Sequence, residues 1–182
     1  TGDVTGSASF DGSSNISINA SRPYVVGETK VYSVNLSTLD TTKFYPIIFF
    51  PDNIILRCEI HSPEMEGHAP YNQNTISFSL LSKGWSDTGR SISIDTYSVY
   101  DTKEITIGCI GVGSQDGYIC VWLRGGLKYR IVSNRKPILY KENVTFTGGV
   151  TETYTVGTNY YGGTGNENVG IAFTPQQTLK SG

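Results

Sequence analysis

Residues Lys43–Phe50 read KFYPIIFF, and this stretch is apolar at almost every position. An extended segment with apolar side chains on both faces is typical of a strand that is covered on both sides. Such a strand lies either at the centre of a sandwich or at a subunit interface. The run Tyr45–Phe50 is the longest apolar run of the chain, and it is far shorter than the roughly eighteen residues of a membrane-spanning helix.

The segments around this stretch alternate apolar and polar residues, as half-buried strands do. Val31–Leu36 reads VYSVNL, which predicts a strand with one covered face. In the segment that returns after Pro51, Leu56, Cys58 and Ile60 are expected to share a buried face. Shared faces are predicted in the same way for Ile76, Phe78 and Leu80, for Ile92, Ile94 and Thr96, and for Tyr129 and Ile131.

Roughly ten such strands follow one another along the chain, joined by turns rich in Gly, Asp and Asn. One of these turns, Gly125-Gly126, is predicted to close a hairpin between Tyr118–Leu123 and Lys128–Val132. No segment shows the 3.6-residue period of an amphipathic helix. The patterns therefore predict an all-β protein with an antiparallel, jelly-roll-like β-sandwich head.

The composition is poor in charge and rich in small polar and aromatic residues. Charged residues are 16% of the chain and the net charge is -2, whereas nucleic-acid binding calls for a basic patch. A basic cluster does occur at Lys128, Arg130, Arg135 and Lys136, and we interpret it as a solvated strand edge. We therefore expect no nucleic-acid partner and no membrane insertion.

The chain has three cysteines: Cys109 and Cys120 lie among apolar neighbours, and Cys58 shares the predicted buried face of Leu56 and Ile60. The odd count and the absence of a CxxC pair argue against a disulfide framework and against a zinc site. We interpret all three as small buried core residues, which fits assembly in a reducing cytoplasm.

The first nineteen residues, TGDVTGSASFDGSSNISIN, have a thin apolar face. Their apolar side chains all fall on even positions, and Asp11-Gly12 is a strong hairpin signal. A lone hairpin of this kind is not stable in water. The segment therefore needs a partner, which is either the rest of the chain or further copies of the same segment.

The string GDVTGSASFDGSSNISI resembles the linker of bacteriophage tail fibres, where a thin trimeric shaft runs into a receptor-binding tip. The resemblance covers about the first twenty residues, and beyond them only the general composition is alike. It implies a viral protein of the virion, made in the bacterial cytoplasm and placed at the distal end of the fibre. It also implies an intertwined homotrimer that mediates attachment to the host cell.

On this basis we expect residues 1–20 to form a shaft or linker with a short β stalk. Residues 21–157 would form the receptor-binding head, and residues 158–182 an extended tail that packs on the trimer. Because the chain begins with threonine, we expect it to be part of a longer one. Some related fibres carry a C-terminal chaperone that cuts itself off beside a serine, which makes Ser181 a candidate processing site.

Receptor binding is expected where aromatic side chains occur beside amides, carboxylates and guanidinium groups. An aromatic ring covers the apolar face of a sugar, while rigid polar neighbours bond its hydroxyls. The candidates fall in three stretches: Trp85, Asp87 and Arg90; His68, Tyr71, Asn72 and Asn74; and Tyr160, Tyr161 and Asn166. Trp85 is equally interpretable as a core residue, the tyrosine pair as a trimer contact, and Trp122 as core or interface.

Catalytic signatures are weak. Glu64 and Glu66 are the closest carboxylate pair in sequence, but they lie in a proline-bounded loop without the rigid support that catalysis needs. The sequence contains no GxSxG motif and no long β-helix repeat. Some tail-fibre tips carry repeated His-x-His metal ligands, and this chain departs from that pattern because His61 and His68 are its only histidines. We therefore expect no enzyme activity, no metal and no cofactor.

The expected ligand is a carbohydrate of the bacterial surface, with the O-antigen of lipopolysaccharide as first choice. An outer-membrane protein is the second choice, because loops rich in Tyr, Ser, Gly and Asn also suit protein recognition. Two other classes stay open: a small enzyme that degrades polysaccharide, and a purely structural fibre module.

Overall fold

The computed structural model describes residues 28–50, 55–62, 74–81, 91–99, 105–113, 117–147, 151–162 and 170–175. Within these ranges the protein is all-β, all strand pairings are antiparallel, and there is no helix. No helix long and apolar enough to cross a membrane is found in that part of the chain. The strands are β1 (Lys30–Asn35), β2 (Phe44–Phe49), β3 (Leu56–Ser62), β4 (Asn74–Leu81), β5 (Ser91–Val99), β6 (Ile107–Val112), β7 (Ile119–Arg124), β8 (Lys128–Ser133), β9 (Ile138–Leu139), β10 (Val144–Thr147), β11 (Thr151–Tyr154) and β12 (Gly170–Phe173).

The strands form two five-stranded sheets and a two-stranded ribbon. The first sheet has the order β1-β8-β3-β4-β5, the second β12-β6-β7-β2-β9, and the ribbon pairs β10 with β11. β7 and β8 therefore belong to different sheets, so the predicted hairpin at Gly125-Gly126 is wrong. The turn instead passes from one sheet to the other and is held against the end of β1, because Gly126 N donates to Leu36 O at 2.8 Å. Gly126 has φ 83°, a conformation that favours glycine.

One hydrophobic core contains residues from both five-stranded sheets. Leu56, Cys58 and Ile60 are at most 4% exposed, which confirms the predicted face of β3. The face predicted for β4 is buried in the same way, as are Tyr129 and Ile131 on β8. Alternate residues of these strands thus contribute to the shared core, and the intervening residues form the other face of the first sheet.

The apolar character of β2 on both faces has a structural reason. Tyr45, Ile47 and Phe49 belong to the core that the two sheets share, whereas Phe44 and Ile48 belong to a second hydrophobic cluster on the opposite face of the strand. The ribbon contributes Val144, Phe146 and Tyr154 to this second cluster. The strand is therefore covered on both sides by its own chain. Trp122 lies in the same cluster with no exposed surface, and its Nε1–H donates to Thr155 O at 3.1 Å.

The buried face predicted for β5 is correct up to Ile94 and wrong at Thr96. Phe78 pairs with Ile94 but Ser77 pairs with Thr96, so Asp95 is an extra residue in a β-bulge. One extra residue reverses the faces of everything after it. Thr96 is consequently exposed, and Tyr97 packs against the core in its place.

Two further expectations can be compared with the structure. All three cysteines are buried and unpaired, which confirms them as core residues. The basic residues Lys128 and Arg130 do not lie on a sheet edge, because β8 is paired with β1 on one side and β3 on the other. They are exposed because they alternate with Tyr129 and Ile131 and so occupy the outer face of the sheet.

Candidate functional site: a cationic cleft between two sheets

A surface cleft of about 430 Å³ lies where the chain crosses from the first sheet to the second. β8 ends at Ser133 in the first sheet, and β9 begins at Ile138 in the second. The residues between them form one wall. The register between β1 and β8 places Lys30 opposite Ser133, so the beginning of β1 forms another wall.

The cleft combines cations with aromatic and aliphatic surface. Lys30 and Lys136 are exposed and Arg135 is half-buried, and Glu28 is the one carboxylate among the lining residues that the structure describes. Those lining residues are Glu28, Lys30, Tyr32, Phe50, Asn134, Arg135, Lys136 and Ile138. The described part of the lining thus carries three cations and one carboxylate, on a chain whose net charge is -2. Such a cleft attracts anions.

Asn134 fixes the cationic wall to a neighbouring strand. Its Oδ1 accepts a hydrogen bond from the N–H of Arg57 at 2.9 Å, and its Nδ2 donates to Ile55 O at 2.8 Å. Its own N–H donates to Arg57 O at 3.3 Å, and the next residue, Arg135, donates its N–H to Ser133 Oγ at 3.0 Å. Because Asn134 is only 5% exposed, these bonds hold the segment that carries Arg135 and Lys136 on rigid strand backbone.

Phe50 supplies aromatic surface to the cleft next to the cationic segment, because the antiparallel β2–β9 register pairs Ile48 with Ile138. Its ring is 38% exposed and stands edge-on to Tyr118 and Phe146, with centroids 5.3 Å and 5.7 Å away. Tyr118 and Phe146 are themselves in contact at 4.6 Å. Phe50 is thus an exposed ring held in place by two half-buried rings, which limits its motion and suits it to stack on a flat apolar ligand surface.

A second, smaller depression of about 190 Å³ lies on the outer face of the first sheet. Its polar lining includes Arg57, Glu59, Ser77 and Asp95. The opposed charges of this lining give it no strong preference for an anion or a cation. The depression and the cleft share one segment of the chain, because Thr29 lines the depression while Glu28 and Lys30 line the cleft.

Most of the predicted site residues lie outside the described ranges. These are His68, Tyr71, Asn72, Trp85, Asp87, Arg90, Asn166 and the candidate processing site Ser181. Glu64 and Glu66 also lie outside them, as do residues 1–27, which contain the predicted stalk.

Asn74, Tyr160 and Tyr161 are described, and none of them lines the cleft. Asn74 begins β4, is 4% exposed and donates from Nδ2 to Thr106 Oγ1 at 2.7 Å. Tyr160 is 37% exposed, and its ring contacts that of Tyr161 edge-on at 5.7 Å. Tyr161 packs against the second hydrophobic cluster. The structure therefore does not bring Asn74 and the tyrosine pair to the cleft.

Arg135 and Lys136 were predicted only as part of a basic cluster, and Lys30, Tyr32 and Phe50 were not among the predicted binding residues. Lys30 and Lys136 line the same cleft because β1 pairs with β8, although the two lysines are far apart in sequence. A local signal existed at Phe50, which extends the apolar stretch by one residue beyond β2 and is exposed.

One arrangement on the outer face of the first sheet has the residue types of a catalytic triad. The His61 ring contacts the Glu59 carboxylate through Nε2, and its Nδ1 lies 3.2 Å from Thr75 Oγ1. The surrounding strands are paired on both sides, so their backbone N–H groups are committed to the ladders and do not form an oxyanion site. We interpret the arrangement as a polar contact between neighbouring strands. The described ranges hold no group of three or more His, Cys, Asp or Glu residues suited to a metal ion.

Comparisons with protein-family profiles, with curated proteins and with solved structures found no match to this chain.

Proposed function

We propose that this chain is the receptor-binding tip of a bacteriophage tail fibre, which attaches the virion to its host by binding a bacterial surface polysaccharide. The observation that carries the proposal is the cleft, which the exposed ring of Phe50 lines together with polar and charged side chains on an all-β protein. Aromatic surface beside fixed polar groups is what recognition of a sugar requires. The tail-fibre linker at the N-terminus supplies the biological setting.

The proposed architecture of the head is a jelly-roll-like sandwich. The nesting of strand pairs supports it, because β1 pairs with β8 while β2 pairs with β7 in the other sheet. The shared core of the two sheets is consistent with face-to-face packing. A sandwich leaves loops and strand ends at its rims, where ligand sites of such folds are commonly found.

The proposed assembly is a homotrimer with its stalk formed by residues 1–20. The thin apolar face of that segment needs further copies to be buried, which supports the proposal. Three weak sites on one rigid particle would bind a repetitive polysaccharide with an avidity well above the affinity of a single site. Sedimentation equilibrium of the purified chain should give three times the monomer mass, and a monomeric mass would contradict the trimer.

The proposed mechanism is reversible and non-covalent, and lipopolysaccharide O-antigen is the first choice of ligand. We would label the purified protein with a fluorophore and screen it against a panel of Gram-negative strains. Each strain that is stained is then compared with its own mutant lacking O-antigen. Staining of the parent but not of the mutant would support binding of the O-antigen by the tip.

Other outcomes of this screen distinguish the alternatives. Equal staining of parent and mutant that is lost after protease treatment of the cells would move the receptor to an outer-membrane protein. Shortening of the polysaccharide ladder on a gel during incubation would make the protein an enzyme. If no host strain of phages that carry this fibre is stained, the protein would be a purely structural fibre module.

A further inference from the structure

We infer that the cleft between β8 and β9 binds the anionic group of an acidic saccharide, either the carboxylate of a sugar acid or a phosphate carried on a sugar. The inference rests on the proposed function and deepens it, because a neutral O-antigen has no anionic group to pair with the cations of this cleft. Lys30, Arg135 and Lys136 line the cleft, and Glu28 is the only carboxylate among the lining residues that the structure describes.

The fold brings these cations together from two distant parts of the chain. Lys30 begins β1, and its partner in the ladder is Ser133, the last residue of β8. Arg135 and Lys136 follow two and three residues later, at the same end of the sheet. The hydrogen bonds of Asn134 to Ile55 and Arg57 keep this end in place. The pairing register of β1 and β8 therefore places the cations of both segments at the same end of the sheet.

The remaining lining residues favour a sugar over a bare inorganic anion. Tyr32 and Ile138 are half-buried, and Phe50 is exposed, so apolar surface lies next to the cations. A pyranose ring offers both an apolar face for such residues and hydroxyls for Glu28 and Tyr32. The volume of about 430 Å³ lies in the range of small-ligand sites, which is roughly 300–1,000 Å³.

The first test uses defined probes on the intact chain. Amide chemical shifts of isotope-labelled protein are recorded with oligogalacturonate, with galactose 6-phosphate and with a neutral galactose oligosaccharide. We expect the amides of Lys30, Tyr32, Arg135 and Lys136 to shift with at least one acidic probe and not with the neutral one. Equal shifts with the neutral probe, or shifts confined to other surfaces, would overturn the inference.

The second test uses charge-removing variants with a matched control. Lys30→Gln and Lys136→Gln should each weaken binding of the acidic probe about tenfold, which is the effect of losing one charge-assisted hydrogen bond. Lys128→Gln is the control, because Lys128 is exposed on β8 but lies opposite Asn35, roughly 17 Å along the strand from Lys30. Equal loss in all three variants would show only general electrostatic attraction.

The third test distinguishes the two sources of the anion and separates this inference from the proposed function. The polysaccharide of a stained strain is carboxyl-reduced in one sample and dephosphorylated in another, and binding is measured again. Loss after only one treatment identifies the group. If unmodified and doubly treated polysaccharide bind equally well, the inference fails while the proposed function stands. If no cell or polysaccharide is bound but the acidic probes occupy the cleft, the proposed function fails while the cleft assignment stands.

Discussion

The side-chain oxygen of Asn134 lies 2.9 Å from the backbone nitrogen of Arg57, a residue 77 positions earlier in the chain. The Nδ2 of the same amide donates to Ile55 O at 2.8 Å. One buried side chain thus completes the backbone bonding at the start of β3 and positions the segment that follows β8. The stability of the protein and the shape of the cleft depend on the same residue.

Asn134→Ala should lower the free energy of unfolding by about 1–3 kcal/mol, because the Arg57 N–H and the Ile55 carbonyl lose their buried partners. Denaturant unfolding measures this change. Asn35→Ala is the control, since Asn35 is exposed and its Oδ1 accepts a hydrogen bond from the nearby Ser37 N–H. Asn134→Ala should also weaken binding of the acidic probe without changing any charge. An unchanged midpoint of unfolding would contradict the anchoring role.

Gly108→Ala should destabilise the protein by about 1–3 kcal/mol through overpacking. A Cβ at this position would lie far inside van der Waals contact of the Tyr160 carbonyl oxygen, and that atom is backbone and cannot rotate away. The same oxygen accepts a hydrogen bond from Cys109 N at 2.7 Å, so the segment around Tyr160 would have to move off β6. Thermal unfolding measures the loss, with Ser93→Ala on the exposed face of β5 as control. Wild-type stability in Gly108→Ala would refute this close approach.

Phe50→Ala should reduce ligand affinity more than stability. The exposed ring loses its edge contacts with Tyr118 and Phe146, and the expected cost to folding is about 1 kcal/mol. If the ring stacks on the sugar, the dissociation constant should rise about threefold to tenfold. Val31→Ala removes an exposed apolar side chain of β1 that does not line the cleft and serves as control. Isothermal titration measures the change in affinity, and denaturant unfolding measures the change in stability. Unchanged affinity would show that Phe50 does not contact the ligand.

The three thiols should be unreactive in the native protein at neutral pH. Burial raises the pKa of Cys109 from its ordinary value of 9.0 to about 11 and raises the pKa of Cys58 and Cys120 as well. Because the thiolate is the reactive form, a disulfide reagent should modify all three only after denaturation. Rapid modification of a native thiol would show that this part of the core opens to solvent.

Stability should fall at alkaline pH. The folded pKa of Cys109 lies above its unfolded value, so the unfolded state loses its proton first as the pH rises. Its contribution is complete below about pH 9 and is lost between about pH 9 and 11. Burial also raises the pKa of Tyr129, which extends the effect to higher pH. Denaturant midpoints at about pH 7.5 and pH 10.5 measure the change, and equal midpoints would contradict it.

The residue pattern predicted local burial well. The alternation in β3 and β8 correctly indicated which side chains face the core, because side chains of a strand point to opposite faces in turn. The double-sided burial of β2 also followed from its composition. The pattern failed at Asp95, where a bulge adds a residue, because a bulge changes the register and leaves no mark on the alternation itself.

Pairing between distant strands was not predictable from local pattern. Gly125-Gly126 has the composition of a hairpin turn, yet it links two sheets, because β8 finds its partners in β1 and β3. The basic cluster was visible as a local run, but the structure divides it. Lys128 and Arg130 face outward from a central strand, while Arg135 and Lys136 turn into the cleft.

The sequence by itself determined the strand content, the two covered faces of β2 and the burial of the three cysteines, because each depends on the period of a strand and on the hydrophobicity of its side chains. The tertiary structure alone decided the order of the strands and the existence of the cleft. Lys30 and Lys136 line the same cleft through the β1–β8 ladder, and this arrangement depends on which of many similar apolar strands pair. Alternation specifies which face of a strand is buried, but it does not specify the partner that buries it.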